Sequence, residues 1–314
     1  MVPNDILSGV DPDANFFNHV PISSTSQQCT ITSFNQELSS QFNNDKHLKI
    51  INYNIRSFFR NIDCFLSFFA TLEYSPDIIV LTETWLHEDN KEFAKLEGYE
   101  AIHTIRENGR SGGVSMYYLY KYNVQQIVPM SLSNESIESC GIKLSLELEN
   151  FYILAVYRPH GSTVENLISL FDMMFGSVGP MNSKQMIILG DLNVNLLETD
   201  NNVRTLSNFL RSYFFVPIVT EATRFSPLLT INPSLLDHAW INFIKPNYNV
   251  SIILTDQTDH FPILLSFQLD MRIYMDETVE VTFRDMKPSS KVIFKEKLLS
   301  HNWETVFTVE SFAQ

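Results

Sequence analysis

The sequence predicts a layered α/β sandwich, on three observations: repeated short apolar runs of strand length, a few stretches with helical spacing between them, and unusual polar residues placed one after another at the ends of the apolar runs. A sheet in such a chain needs one face covered by helices and the other by a second sheet, which stacks the elements in layers. With 314 residues, 44% hydrophobic and 18% charged with only 10 Gly, the chain can bury a large core, which excludes wholesale disorder, collagen-like repeats and a heptad array.

The first 47 residues are rich in Ser, Asn, Gln and Thr with scattered apolar positions, and read as a flexible polar leader. A strand follows at 48–54 and another at 77–81. Between them Ile62, Phe65, Leu66, Phe69 and Leu72 recur at steps of three and four, predicting a helix laid on a sheet and closed by Pro76. Strands are next expected at 112–118, 141–148 and 151–157, with Glu149-Asn150 as a two-residue hairpin connection. Helical spacing marks 166–175 and 203–214, and a fully apolar strand at 186–189 runs into Gly190-Asp191-Leu192-Asn193. Strand, loop and strand return between 235 and 267. From 270 onward acids and bases alternate, and Ile293, Phe294, Leu298, Leu299 and Trp303 suggest a helix with no sheet to pack on. The domain reading is therefore 1–47 leader, 48–268 catalytic-type domain and 269–314 connector.

Charge narrows the function. Lys and Arg total 22 against 36 Asp and Glu, a net charge of -14, so bulk attraction cannot bring the molecule to nucleic acid and any polyanion site must be local. Cys29, Cys64 and Cys140 are too few and too far apart for a disulfide framework or a zinc site, which favours a reducing compartment. No apolar run reaches the roughly 18 to 20 residues of a bilayer span, and Asp5, Asp11 and Asp13 sit where an export signal would be basic. The expectation is a soluble intracellular protein, not secreted and not at a membrane.

The polar residues at strand ends are Asn54, Glu83, Tyr157, Asp191, Asn193, Asp237, Asp259 and His260. Together they offer carboxylates, amides, an imidazole and a phenol but no thiolate, a set of hard ligands that favours Mg²⁺ or Mn²⁺ over zinc and suits phosphoester hydrolysis. Each has a bland alternative. Asn54 is also a turn residue, Asp191 an Asx turn after Gly190, Tyr157 an ordinary strand-end tyrosine, and His260 a satisfied buried histidine. The ordered set is harder to assign to chance.

The elements Asn52-Tyr53-Asn54, Thr82-Glu83-Thr84-Trp85-Leu86, Gly112-Gly113-Val114, Tyr157-Arg158-Pro159, Gly190-Asp191-Leu192-Asn193, Thr223-Arg224-Phe225, Leu235-Leu236-Asp237 and Thr258-Asp259-His260 resemble the endonuclease/exonuclease/phosphatase superfamily. Within it they are most similar to the apurinic-type endonuclease domain of non-LTR retrotransposons of the Jockey and CR1 kind. The resemblance spans roughly 48–268 and implies a DNase-I-like, four-layer sandwich of two packed mixed sheets flanked by helices. It implies that Glu83, Asn54 and Asp259 serve a Mg²⁺ ion (Mn²⁺ substituting), that Asp191 activates water oriented by Asn193, and that His260, oriented by Asp237, meets the scissile phosphate with Tyr157. Arg158, Arg224, Arg110 and Arg56 would hold the DNA. The implied act is nicking of target DNA by a monomer in the nucleus, leaving a 3′-hydroxyl for a reverse transcriptase in the same polyprotein; 269–314 is similar to the connector toward it, as in a copy truncated before that domain. Thr258 replaces the family's usual Ser, and His160 falls where a second Pro is common. Two alternatives stay open: a phosphoesterase of the same fold acting on a non-DNA substrate, and a catalytically silent fossil.

Overall fold

The computed structural model describes residues 26–42, 47–106, 111–225, 232–243, 248–269 and 288–301. Its strands are, in chain order, β1 (Gln27–Cys29), β2 (His47–Asn54), β3 (Ile78–Thr82), β4 (Tyr99–Thr104), β5 (Val114–Leu119), β6 (Asn123–Gln126) and β7 (Leu132–Ser133). They continue with β8 (Glu138–Ser145), β9 (Asn150–Tyr157), β10 (Gln185–Asp191), β11 (Val216–Pro217), β12 (Asp237–Ile241), β13 (Tyr248–Ile253) and β14 (Ile263–Gln268). The longer helices are α1 (Phe58–Thr71), α2 (Val164–Val178), α3 (Asn201–Ser212) and α4 (Pro288–Ser300).

Two mixed sheets form. One has the order β1-β13-β14-β2-β3-β5-β4, the other β11-β12-β10-β9-β8-β6 with β7 on β8. Alternation along each strand decides what faces what. Leu48 and Ile50 of β2, Ile78 and Val80 of β3, Ile153 and Ala155 of β9, and Ile187 and Leu189 of β10 share one core between the sheets. The opposite set from the first sheet, Ile51, Tyr53, Ile79 and Leu81, packs on Phe58, Phe65 and Phe68 of α1. The opposite set from the second sheet, Leu154, Val156, Met186 and Ile188, packs on Leu167 and Phe171 of α2 and Leu206 and Leu210 of α3. The molecule is thus helix, sheet, sheet, helix: the four-layer sandwich expected. Caps are local in origin; Thr163 Oγ1 accepts from Asn166 N at the start of α2, and Asp200 Oδ1 from Val203 N at the start of α3.

Two expectations need correction. The leader is ordered from residue 26 to 42: β1 adds in parallel to β13, and Phe34 and Phe42 are buried against Tyr74. Helical segment 31–42 passes through a π turn at Phe34–Leu38, which breaks the 3.6 period that a sequence search relies on. The β8–β9 connection is the four-residue loop 146–149, since Ser145 pairs with Asn150. Glu149-Asn150 lacks the glycine that a two-residue turn with positive φ favours. On α4, Val292, Ile293, Phe294 and Leu299 are exposed, and no described helix is long and apolar enough to cross a membrane.

Candidate active site

The strand register alone assembles most of the polar set. Glu138, Tyr157, Asp191 and Asp237 stand opposite one another on β8, β9, β10 and β12, forming one row across the end of the second sheet. From the facing sheet, Asn54 ends β2 and Glu83 follows β3 directly. Asn54 Nδ2 donates to Glu83 Oε1 and to Asp191 Oδ2, both at 2.9 Å, so one amide joins the two sheets at their acidic ends.

Local backbone geometry aims these groups. Among the described residues, six non-glycine residues have positive φ, and five lie here: Arg56, Ser57, Glu83, Trp85 and Asn193. Such conformations cost of order 1–3 kcal/mol each and persist where surroundings over-determine them, a pattern typical of functional sites. The 55–58 turn is held by Ser57 N and Phe58 N donating to the carbonyls of Glu83 and Thr84. Gly190 is required before Asp191: its φ is +132°, and a Cβ there would lie 1.8 Å from the Val156 carbonyl oxygen.

Asp237 and His260 form the second half of the site. His260 Nδ1 and Asp237 Oδ2 are 2.7 Å apart, and both residues are buried. Thr223 Oγ1 also donates to Asp237 Oδ2 at 2.9 Å while accepting from the Asp237 and Leu236 amides. Burial alone would discharge the His260 ring, but Asp237, then Asp191 and Asp259, outweigh it and push its pKa up to about 9. Burial, then the charge of Asp237, raises the Asp191 carboxyl. Burial, then the charges of Glu83 and Asp191, keeps the Tyr157 phenol protonated far above neutrality.

Several expected residues sit differently from their assigned roles. Arg158 is not on the surface for DNA; it is 6% exposed, and its guanidinium donates to the backbone carbonyls of Leu192, Asn193 and Ser162. It is a clamp on the Asp191–Asn193 loop. Asp259 is flanked by two guanidiniums: Arg56 Nη1 lies 2.7 Å from Oδ1 and Arg224 Nε 2.8 Å from Oδ2. Burial works to raise its pKa, but the Arg224 hydrogen bond and the surrounding positive charge leave it lowered. Asn193 does not extend β10: with φ +51° its amide N donates to Asp191 Oδ1 at 3.0 Å, the Asx turn, and its Nδ2 donates to the Arg158 carbonyl at 2.7 Å. Arg56 is 46% exposed and Arg224 21% exposed at the rim. Arg110 lies outside the described residues.

The site also contains residues that the strand-end reading passed over. Glu138 is fully buried, in ion-pair contact with Arg106, and accepts from Gly113 N. The only sequence signal is an acid at the head of a strand, hidden by starting that strand at Gly141.

The donor set suits a hard divalent ion. Asp191, Asp237 and His260 bring ligand atoms within 4.8 Å of one another, Asn54 links Asp191 to Glu83, and buried Asp237 Oδ1 has no hydrogen-bond partner. Clustered, buried carboxylates with one orphaned oxygen are the arrangement a cation would satisfy.

Solved structures show the same fold. The AP endonuclease of Leishmania major aligns with TM-score 0.61 and 13% identity over 79% of this chain and 94% of that one. The endonuclease domain of TRAS1, a telomere-specific non-LTR retrotransposon, aligns with TM-score 0.55 and 12% identity over 71% of this chain and 99% of that one. A 3′ phosphatase from Neisseria, bound to a product DNA hairpin, gives 0.54 and 16% over 70% and 99%. No curated protein matches by sequence. The family model for the endonuclease/exonuclease/phosphatase family matches residues 51–260, which span every element of the site just described, and the chain belongs to that family of phosphoester hydrolases.

Proposed function

We propose that the chain is a Mg²⁺-dependent DNA endonuclease of retrotransposon type, with Mn²⁺ able to substitute, that nicks a phosphodiester and leaves a 3′-hydroxyl. The observation that carries it is the Asn54 bridge between Glu83 and Asp191, set beside the buried Asp237–His260 pair. Likeness to endonuclease domains, that of a non-LTR retrotransposon among them, supports DNA as substrate. On this reading the protein works in the nucleus as a monomer, and 269–314 is the connector toward a reverse transcriptase.

Glu83 and Asn54, with Asp191 beside them, would hold the ion. When bound it supplies positive charge to the phosphoryl oxygens as negative charge develops on them. His260, held through Nδ1 by Asp237, offers its other ring nitrogen as a charged donor to a phosphate oxygen. Tyr157, kept protonated, donates a second hydrogen bond. Asp191 takes the proton of the attacking water, its two oxygens fixed by Asn54 Nδ2 and Asn193 N. Asn193 fixes the loop that presents Asp191 and lines the water's approach. Arg56 and Arg224, paired with Asp259, give the rim a local positive charge on an acidic body.

The test compares substrates. With Mg²⁺ the native chain should convert supercoiled plasmid to open circles whose ends a polymerase extends directly, and EDTA should abolish it. Preferential cleavage of a phosphomonoester with an intact plasmid would overturn the reading in favour of a phosphatase.

A further inference from the structure

Glu138 stands in the row of site residues but touches neither Asn54 nor His260. It is fully buried at the head of β8, opposite Tyr157, and its carboxylate is spent on two partners that belong to the other sheet's side of the cleft. Arg106, just past β4, pairs with Oε1, and Gly113 N, just before β5, donates to Oε2. Thr104 Oγ1 adds a bond to the Ser139 carbonyl at 2.9 Å, so the head of β8 is tied across the gap between sheets.

The turn held this way is the support of the Glu83 loop. Thr84 N donates to the Gly113 carbonyl at 3.3 Å, and Trp85 N to the Gly112 carbonyl at 2.7 Å. Gly112 and Gly113 have φ of +102° and +87°; a Cβ on Gly112 would lie 2.6 Å from a Glu138 oxygen, and one on Gly113 2.6 Å from Thr84 Oγ1. The turn is moulded between the carboxylate and the loop. Glu83 and Trp85 themselves have φ of +51° and +55°, conformations that non-glycine residues keep only under external support.

We propose that Glu138, clamped by Arg106, is a positioning residue: through the Gly112-Gly113 turn it holds Glu83 in the conformation that presents its carboxylate to the divalent ion. This rests on the reading of Glu83 as a metal-side acid. The carboxylate acts from one sheet on a loop of the other. Arg106 makes the arrangement tolerable, because a buried carboxylate without a cationic partner is costly.

The experiment measures hydrogen exchange across 82–86 and Mn²⁺ affinity by electron paramagnetic resonance, in the native chain, Glu138→Ala and Glu138→Gln. Glu138→Ala should speed exchange at Thr84 and Trp85 and weaken Mn²⁺ binding, each by about tenfold or more, a change of ~1.4 kcal/mol. Glu138→Gln keeps an oxygen for Gly113 but turns an amide NH₂ toward Arg106, so both effects should be intermediate, roughly threefold. A merely structural role would lower thermal stability and leave both readouts unchanged at temperatures where the variants are folded. If Glu138→Ala does not fold, Glu138→Gln decides alone: native exchange and native Mn²⁺ affinity overturn the proposal, as does a native chain that binds no Mn²⁺. A chain that shows these shifts but cuts no DNA leaves the positioning role standing and sinks the endonuclease reading. One that nicks DNA with unshifted variants does the reverse.

Discussion

Arg158→Ala separates two accounts of one arginine. The residue sits in a Tyr-Arg-Pro motif where a DNA contact is expected, yet its guanidinium is buried and three of its nitrogens donate to the carbonyls of Leu192, Ser162 and Asn193. Truncation would leave the buried carbonyls of Leu192 and Ser162 and the part-buried carbonyl of Asn193 without this donor, at about 1–3 kcal/mol for each buried orphan and less for the third. The three share one donor and one loop, so the losses are not additive, and a total of roughly 3–5 kcal/mol is expected. For a domain of this size each kcal/mol moves Tm by about 2–4 °C, which gives a fall of roughly 10 °C. Arg158→Lys can serve one carbonyl at most and should recover only part of it. Differential scanning calorimetry measures the stability, and nicking rates from 50 to 200 mM salt report phosphate contacts. The salt slope should stay at its native value, because a buried clamp neutralises no phosphate. An unchanged Tm together with a slope lower by ~1 would refute the clamp and restore the DNA contact.

Three further outcomes follow from packing and protonation. Gly190→Ala should fail to fold or lose several kcal/mol, since its Cβ would overlap the Val156 backbone; a soluble variant with native Tm would contradict the geometry. Ser26→Ala removes a buried hydroxyl that accepts from the Thr220 and Glu221 amides, and should cost roughly 1–2 kcal/mol by urea unfolding, whereas a flexible leader would cost nothing. His238 is buried and neutral: Trp240 Nε1 donates to its Nδ1, its Nε2 lies 2.8 Å from the Val194 carbonyl, and burial, against the pull of Val194 and Asp237, lowers its pKa to about 4. Because the unfolded histidine takes up its proton near ~6.5, stability should fall as pH drops from there toward 4, by roughly 3 kcal/mol in all, and level off below. His238→Asn should flatten that slope in urea titrations.

The layers were legible in the sequence because β2, β3, β9 and β10 are near-continuous apolar runs, the signature of strands covered on both faces, and α1 to α3 keep a 3.6 period. The site residues were legible as a set because each ends, follows or leads into an apolar run: Asn54, Tyr157 and Asp191 end strands, Glu83 and Asn193 follow them, and Asp237 and His260 stand at or before the start of one. What the sequence withheld is direction. Arg158 and Arg56 look alike as letters, but only a fold shows that one turns inward onto carbonyls and the other outward onto Asp259. Asp259 reads as a spare carboxylate until two guanidiniums are seen to flank it. Glu138 was hidden for a related reason: a buried acid is recognisable only from the partner that makes its burial tolerable, and Arg106 lies 32 residues away in the other sheet's loop. Segment 26–42 escaped because its π turn carries no familiar period.

The most direct test of the whole account is supercoiled-plasmid nicking in Mg²⁺ by the native chain beside Asp191→Ala and His260→Ala, with folding of each checked by calorimetry. The account predicts open circles from the native chain and at least a hundredfold slower nicking from either folded variant, the scale expected for loss of a proton-transfer or charge-stabilising group. Nicking retained by both variants, or absent from the native chain, would contradict it.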